Sequence, residues 1–155
     1  MTRAHEDGRF LMCRIGSLIG ALALEDVRET MRPLPVEPLA GAPSYVLGLS
    51  IVKGFPVPVL DAGRLLNSAA PHPPSRFVSL KLGERTASLA VDAVLDIRAL
   101  NAGILSETPP LLREAGSEIV STIGALDARL LLVLEAARLV PAAVWNAIKA
   151  SGATT

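Results

Sequence analysis

Asp61, Asp92, Asp96 and Asp127 carry carboxylates from which this chain could build acid–base chemistry. Such chemistry needs two titratable groups held together with a nucleophile or water and a polarising donor. Nothing in the sequence brings two of these aspartates together in that way. Asp61 precedes the segment Arg64-Leu65-Leu66, where a carboxylate caps backbone N–H groups; its expected role is structural. His5 and His72 each stand alone in a polar segment, without metal-ligand spacing, and read as solvated loop residues. Cys13 is the single cysteine and lies in the apolar run from Phe10 to Ile15. It can form no intrachain disulfide and reads as a buried, inert thiol. Gly48, Gly54 and Gly63 do not form a phosphate-binding fingerprint, because prolines rather than a long helix follow them. The expectation is a protein without catalytic residues, metal or cofactor.

Composition narrows the field further. The chain has 155 residues, enough for one compact domain or two small packed lobes. Half of it is hydrophobic, yet it holds one Trp, one Tyr and three Phe, so the core must be aliphatic. Fifteen Lys and Arg balance fifteen Asp and Glu. Nucleic-acid binding by a small barrel needs a basic groove and aromatic platforms, and neither is expected. The runs Ile15 to Leu24 and Leu130 to Leu134 fall short of the roughly 20 apolar residues of a spanning helix. No direct membrane insertion and a cytoplasmic location are expected. Surplus aliphatic surface then points to partner binding.

The elements that would position these residues are short. Phe10 to Ile15 and Leu18 to Leu24 form a predicted hairpin turning near Gly16. Glu25 to Met31 reads as a helical turn leading into a strand. Pro33, Pro35, Pro38 and Pro43 forbid a helix and deny ladder hydrogen bonds, which predicts an extended surface connection. Tyr45 to Val52 and Phe55 to Leu60 are strands around a Lys53-Gly54 turn, with Pro56 and Pro58 placing the second at an edge or bulge. Asn67 to Ser75 is a polar, Pro-rich loop. Phe77 to Leu82 and Thr86 to Val91 form the clearest hairpin, and Val94 to Ile97 continues as a strand. Asn101 to Ser117 has no sustained period and reads as loop with a short helix. Ile119 to Leu126 and Arg129 to Leu134 flank a tight Asp127-Ala128 turn. Pro141 starts a helix whose stripe is Val144, Trp145 and Ile148, followed by a frayed tail.

The chain also repeats itself. Val59-Leu60-Asp61-Ala62-Gly63-Arg64-Leu65-Leu66 has the residue order of Val133-Leu134-Glu135-Ala136-Ala137-Arg138-Leu139-Val140. Ala23-Leu24-Glu25-Asp26-Val27 echoes Ala90-Val91-Asp92-Ala93-Val94. Two echoes in one order predict two similar halves, with Asn67 to Ser75 as their seam. Many short strands with little helix predict an all-β barrel or sandwich.

The segment from Gly48 to Asp61 resembles the CheW-like family of chemotaxis coupling proteins, in its Gly48-Leu49, Lys53-Gly54 and Val57-Pro58-Val59-Leu60-Asp61 positions. Phe10-Leu11 with Arg14-Ile15-Gly16, Leu22-Ala23-Leu24, Leu89 to Val94 and Ile123 to Leu134 are similar to further family segments in the right order, so the likeness spans about residues 10 to 140. Ile51 stands where the family often has Asn, and Lys53 where it often has Arg. The resemblance implies an all-β fold of two packed five-stranded SH3-like β-barrels with short connecting helices and a C-terminal helix. It implies a flexible segment 1–9, a CheW-like domain over 10–140, and a helix and tail over 141–155. It implies a non-catalytic adaptor whose partners are a CheA-type histidine kinase and the cytoplasmic tip of a chemoreceptor, with Val27, Glu29, Lys53 and Phe55 as candidate partner-binding residues. A divergent adaptor that competes with a standard coupling protein, and a barrel that binds an apolar small molecule, are the alternatives.

Overall fold

The computed structural model describes residues 8–68, 70, 72–100, 105–107 and 119–150. The readings made of His5, of the residues before Gly8, of the tail after Ala150 and of most of Asn101 to Ser117 lie outside them.

Eleven strands form two sheets. In chain order they are β1 (Arg9–Ile15), β2 (Leu18–Ala23), β3 (Val27–Met31), β4 (Val46–Val52), β5 (Phe55–Asp61), β6 (Arg76–Leu82), β7 (Arg85–Val91), β8 (Ala93–Ala99), β9 (Leu105–Glu107), β10 (Val120–Leu126) and β11 (Arg129–Leu134). Helix α1 (Ala62–Leu65) follows β5, and α2 (Ala142–Ala150) closes the described chain. Short 3₁₀ turns at Leu24–Asp26 and Ala136–Arg138 follow β2 and β11. The all-β, two-sheet architecture matches the expectation. One detail differs: Leu105–Glu107, read as loop, is a three-residue strand at the edge of one sheet.

One sheet runs β3-β6-β7-β5-β4 and the other β8-β1-β2-β11-β10-β9. Both are built on one plan. A hairpin (β1–β2 or β6–β7) carries a parallel neighbour on its second strand, β11 on β2 and β5 on β7. Its first strand carries an antiparallel neighbour, β8 on β1 and β3 on β6. The two sequence echoes fall at matching places in this plan. One marks the exits of β5 and β11, the other the exits of β2 and β7. The halves also exchange strands: β3 leaves its own hairpin to join β6, and β8 leaves its own to join β1. Neither barrel is therefore a continuous piece of chain.

Alternation along the strands explains why so much of the sequence is apolar. Phe10, Met12, Ile19, Ala21, Leu131 and Val133 fill the interior of one barrel. Val59, Phe77 and Ala90 lie inside the other. The intervening residues Leu11, Cys13, Leu22, Leu60, Val78, Leu80, Leu89, Leu132 and Leu134 form a shared layer between the two. Strands buried on both faces read as continuous hydrophobic runs rather than clean alternation. Cys13 sits in the shared layer, and burial pushes its thiol up to about 12.

Turn chemistry fixes the hairpins. Lys53 and Gly54 both have positive φ (51° and 87°), as do Asp127 and Ala128 (52° and 65°). That is the type I′ pattern, whose twist suits a two-residue hairpin. The proline-rich connection after β3 runs extended and bridges β4 at Glu37–Leu49. Gly48 (φ 144°) permits this approach, because a Cβ there would collide with the Glu37 carbonyl. Asp61 caps α1 by accepting from Arg64 N–H at 3.2 Å, as its position before the Leu-rich turn predicts. Asp92, the other buried aspartate, accepts from Gly16 N–H at 2.6 Å and so ties the β1–β2 turn to the start of β8.

Candidate functional site

The ladder between β5 and β7 covers only Val59, Leu60 and Asp61. Pro56 and Pro58 lie before that stretch, where β5 pairs with β4 alone. Proline offers no N–H for a second ladder. The first half of β5 therefore stands apart from β7, and a cleft of about 650 Å³ opens between them. Ser79 lies at its floor, buried. The β6–β7 turn supplies Glu84, Arg85 and Thr86, and α2 supplies Trp145, Ile148 and Lys149. Helix α2 is held in place by Val144 and Ile148, both buried in the shared layer.

Three of the four residues expected to bind a partner line this cleft: Glu29 on β3, Lys53 at the β4–β5 turn and Phe55 at the start of β5. Glu29 and Lys53 pair with each other, Nζ to Oε2 at 3.3 Å, across exposed surface. Phe55 is 64% exposed, on the hairpin face it shares with its cross-strand partner Val52, whereas Ile51, 66% exposed, lies on the opposite face. A phenyl ring left in water at a cleft also lined by Val52, Pro56 and Val57 adds apolar surface of the kind that marks a partner site. Val27 is elsewhere. It is half-buried at the start of β3 and packs against the shared core.

The structure adds residues that sequence reasoning did not select. Arg85 lies over the ring of Trp145, 4.7 Å from its centroid. Trp145 packs against the core beside its stripe partners Val144 and Ile148, as expected, but is half-buried and also lines the cleft. The available signal was compositional: a chain with five aromatics places two of them, Phe55 and Trp145, at this cleft.

The other barrel carries the matching arrangement with reversed charge. On the first barrel an acid on the swapped strand β3 meets a base on the hairpin turn. On the second, Arg98 on the swapped strand β8 lies 3.9 Å from Asp127 on the β10–β11 turn. Leu95 and Ile97 on β8 and Leu130 on β11 are exposed as well. Arg98 also pairs, more closely, with Asp96 on its own strand at 3.3 Å, so the correspondence is one of position and not of an isolated inverted pair.

Nothing in these surroundings assembles a reaction. The carboxylates Asp61 and Asp92 are engaged with backbone N–H groups, and His72 is exposed in its loop. Among the described residues no group of three His, Cys, Asp or Glu side chains could hold a metal ion, and no helix is long and apolar enough to cross a membrane.

Comparison with known proteins accords with this arrangement. The family model for the CheW-like domain matches residues 9–144. A probable chemotaxis protein CheW from Rhizobium etli is 26% identical over 131 residues, 83% of this chain and 84% of that protein. Chemotaxis protein CheW from Rhizobium meliloti is 28% identical over the same coverage. Protein FrzA from Myxococcus xanthus is 31% identical over 119 residues, 75% of this chain and 73% of FrzA. The crystal structure of the scaffolding protein TtCheW from Thermoanaerobacter tengcongensis has the same fold, with a TM-score of 0.70, 17% identity, and coverage of 83% of this chain and 89% of that one. The match over residues 9–144, together with the common plan of the two sheets, makes this chain a member of the CheW-like domain family, a family of non-catalytic scaffolds.

Proposed function

We propose that this chain is a cytoplasmic coupling scaffold that joins the cytoplasmic tip of a chemoreceptor to a CheA-type histidine kinase. The observation that carries the reading is the cleft that gathers Glu29, Lys53 and Phe55 in one place. Phe55 supplies apolar area, and fully burying such a side chain is worth about 1.5–3 kcal/mol. The Glu29–Lys53 pair lies on exposed surface, where such pairs contribute about 0.2–1 kcal/mol. Its use is in setting register, since a partner that separates the two ions must replace both contacts. Both barrel interiors are filled by side chains, which favours an external binding surface over a ligand inside a barrel.

The test is a pull-down with immobilised chain against two purified targets, the regulatory domain of a CheA-type kinase and a soluble receptor-tip fragment. The expected result is retention of each alone and of both together. Retention of neither, with the chain folded, would refute the reading.

A further inference from the structure

The cleft has a wall that the pairing of Glu29 with Lys53 does not involve. Arg28, Arg85 and Lys149 all line it, and Glu84 is the carboxylate that faces them. Lys53 is already matched by Glu29 at 3.3 Å. Among the described residues, Arg28, Arg85 and Lys149 are in no ion pair. A chain with balanced total charge therefore concentrates unmatched cations at one concave place. A concave, partly apolar wall focuses the field of such charges. Trp145, stacked under Arg85, lines the same cleft as Phe55. Trp and Arg in a recessed pocket are the residue types that dominate binding energy at interfaces.

Resting on the reading of this cleft as a partner surface, we infer that the wall formed by Arg85, Trp145 and Lys149 receives an acidic peptide segment carrying an apolar side chain. The carboxylates go to Arg85 and Lys149, and the apolar group goes between Trp145 and Phe55. Trp145, Ile148 and Lys149 lie beyond the family match, which ends at residue 144. Arg85, the third member of the wall, lies within that match.

Trp145 is the only tryptophan, so its fluorescence reports directly on the wall. The probes are three short synthetic peptides with the same central pair of leucines, flanked by Glu, by Gln or by Lys. The Glu peptide should shift Trp145 emission saturably, bind at least about tenfold tighter than the Gln peptide, and weaken as salt rises. The Lys peptide should not bind. Arg85→Glu combined with Lys149→Glu, both at exposed positions, should reverse the preference toward the Lys peptide. Equal binding of all three peptides, or no emission shift with any, overturns the inference. So does unchanged Glu-peptide affinity in the double variant with its melting temperature intact. The pull-down described above separates the two readings. Retention of kinase domain and receptor tip with no peptide preference removes only the acidic-segment inference. Peptide preference without retention of either target removes the coupling role and leaves this wall's specificity in place.

Discussion

Removing the Asp61 side chain should destabilise the protein without touching the cleft. Asp61 ends β5, and the cleft residue Phe55 begins it, so the two lie at opposite ends of one strand. The carboxylate accepts from Arg64 N–H at 3.2 Å and lies 3.7 Å from the Arg64 guanidinium. Loss of an N-cap costs about 0.5–2 kcal/mol. The ion pair adds only a few tenths of a kcal/mol, because the Arg64 side chain is more than half exposed. The Asp61 N–H bond to the Tyr45 carbonyl, at 2.7 Å, survives the substitution. Asp61→Ala should therefore cost about 1–2 kcal/mol, a fall in melting temperature of roughly 3–8 °C for a chain of this size. Asn caps as well as Asp, so Asp61→Asn should lose only about 0.5 kcal/mol. Thermal unfolding followed by circular dichroism, with partner affinity measured in parallel, decides the matter. Equal damage from Ala and Asn would refute the capping argument. An unchanged melting temperature in Asp61→Ala with loss of partner binding would move Asp61 into the interface.

Other outcomes follow from the same geometry. Ala128 holds φ at 65° in a type I′ turn, where a Cβ costs about 1–2 kcal/mol, so Ala128→Gly should raise stability by up to about 1 kcal/mol in urea unfolding. Gly48→Ala should lower it by more than about 2 kcal/mol, because the new Cβ meets the Glu37 carbonyl and φ is 144°. The Cys13 thiol is held up at about 12 by burial, against 9.0 when free. The folded state therefore keeps a proton that the unfolded state gives up, so this contribution to stability is intact below pH 9.0 and is lost as pH rises from there toward about 12. Cys13→Ala should flatten that alkaline decline in a pH series of melting curves. A double-mutant cycle on Glu29 and Lys53 in the free protein should give no more than about 1 kcal/mol.

Much of the fold was legible because its signals are local. The hairpins β1–β2, β4–β5, β6–β7 and β10–β11 each announce themselves by two apolar runs around a turn. Asp61 announced its cap by preceding Arg64-Leu65-Leu66. The exchange of β3 and β8 between barrels was not legible, since periodicity gives a strand's faces but not its neighbours. The echoes suggested duplication, and duplication alone is equally compatible with halves that keep their own strands. β9 escaped because three residues cannot display an alternation. At the cleft, Glu29, Lys53 and Phe55 came from family likeness. Arg85, Trp145 and Lys149 did not, because β5, the β6–β7 turn and α2 meet only in the folded chain. Val27, also chosen by likeness, is half-buried at the start of β3 and packs against the shared core rather than lining the cleft.

The most direct test of the coupling account is a titration of the receptor-tip fragment and the kinase regulatory domain against wild type, Lys53→Ala, Lys53→Glu, Lys53→Arg and Phe55→Ala. Both substituted positions, Lys53 and Phe55, are on exposed surface, so folding should be unaffected. The account predicts that Phe55→Ala weakens at least one partner by about 1.5–3 kcal/mol, and that Lys53→Glu weakens it more than Lys53→Ala does. Equal affinities across the whole series for both partners, with unchanged melting temperatures, would contradict it.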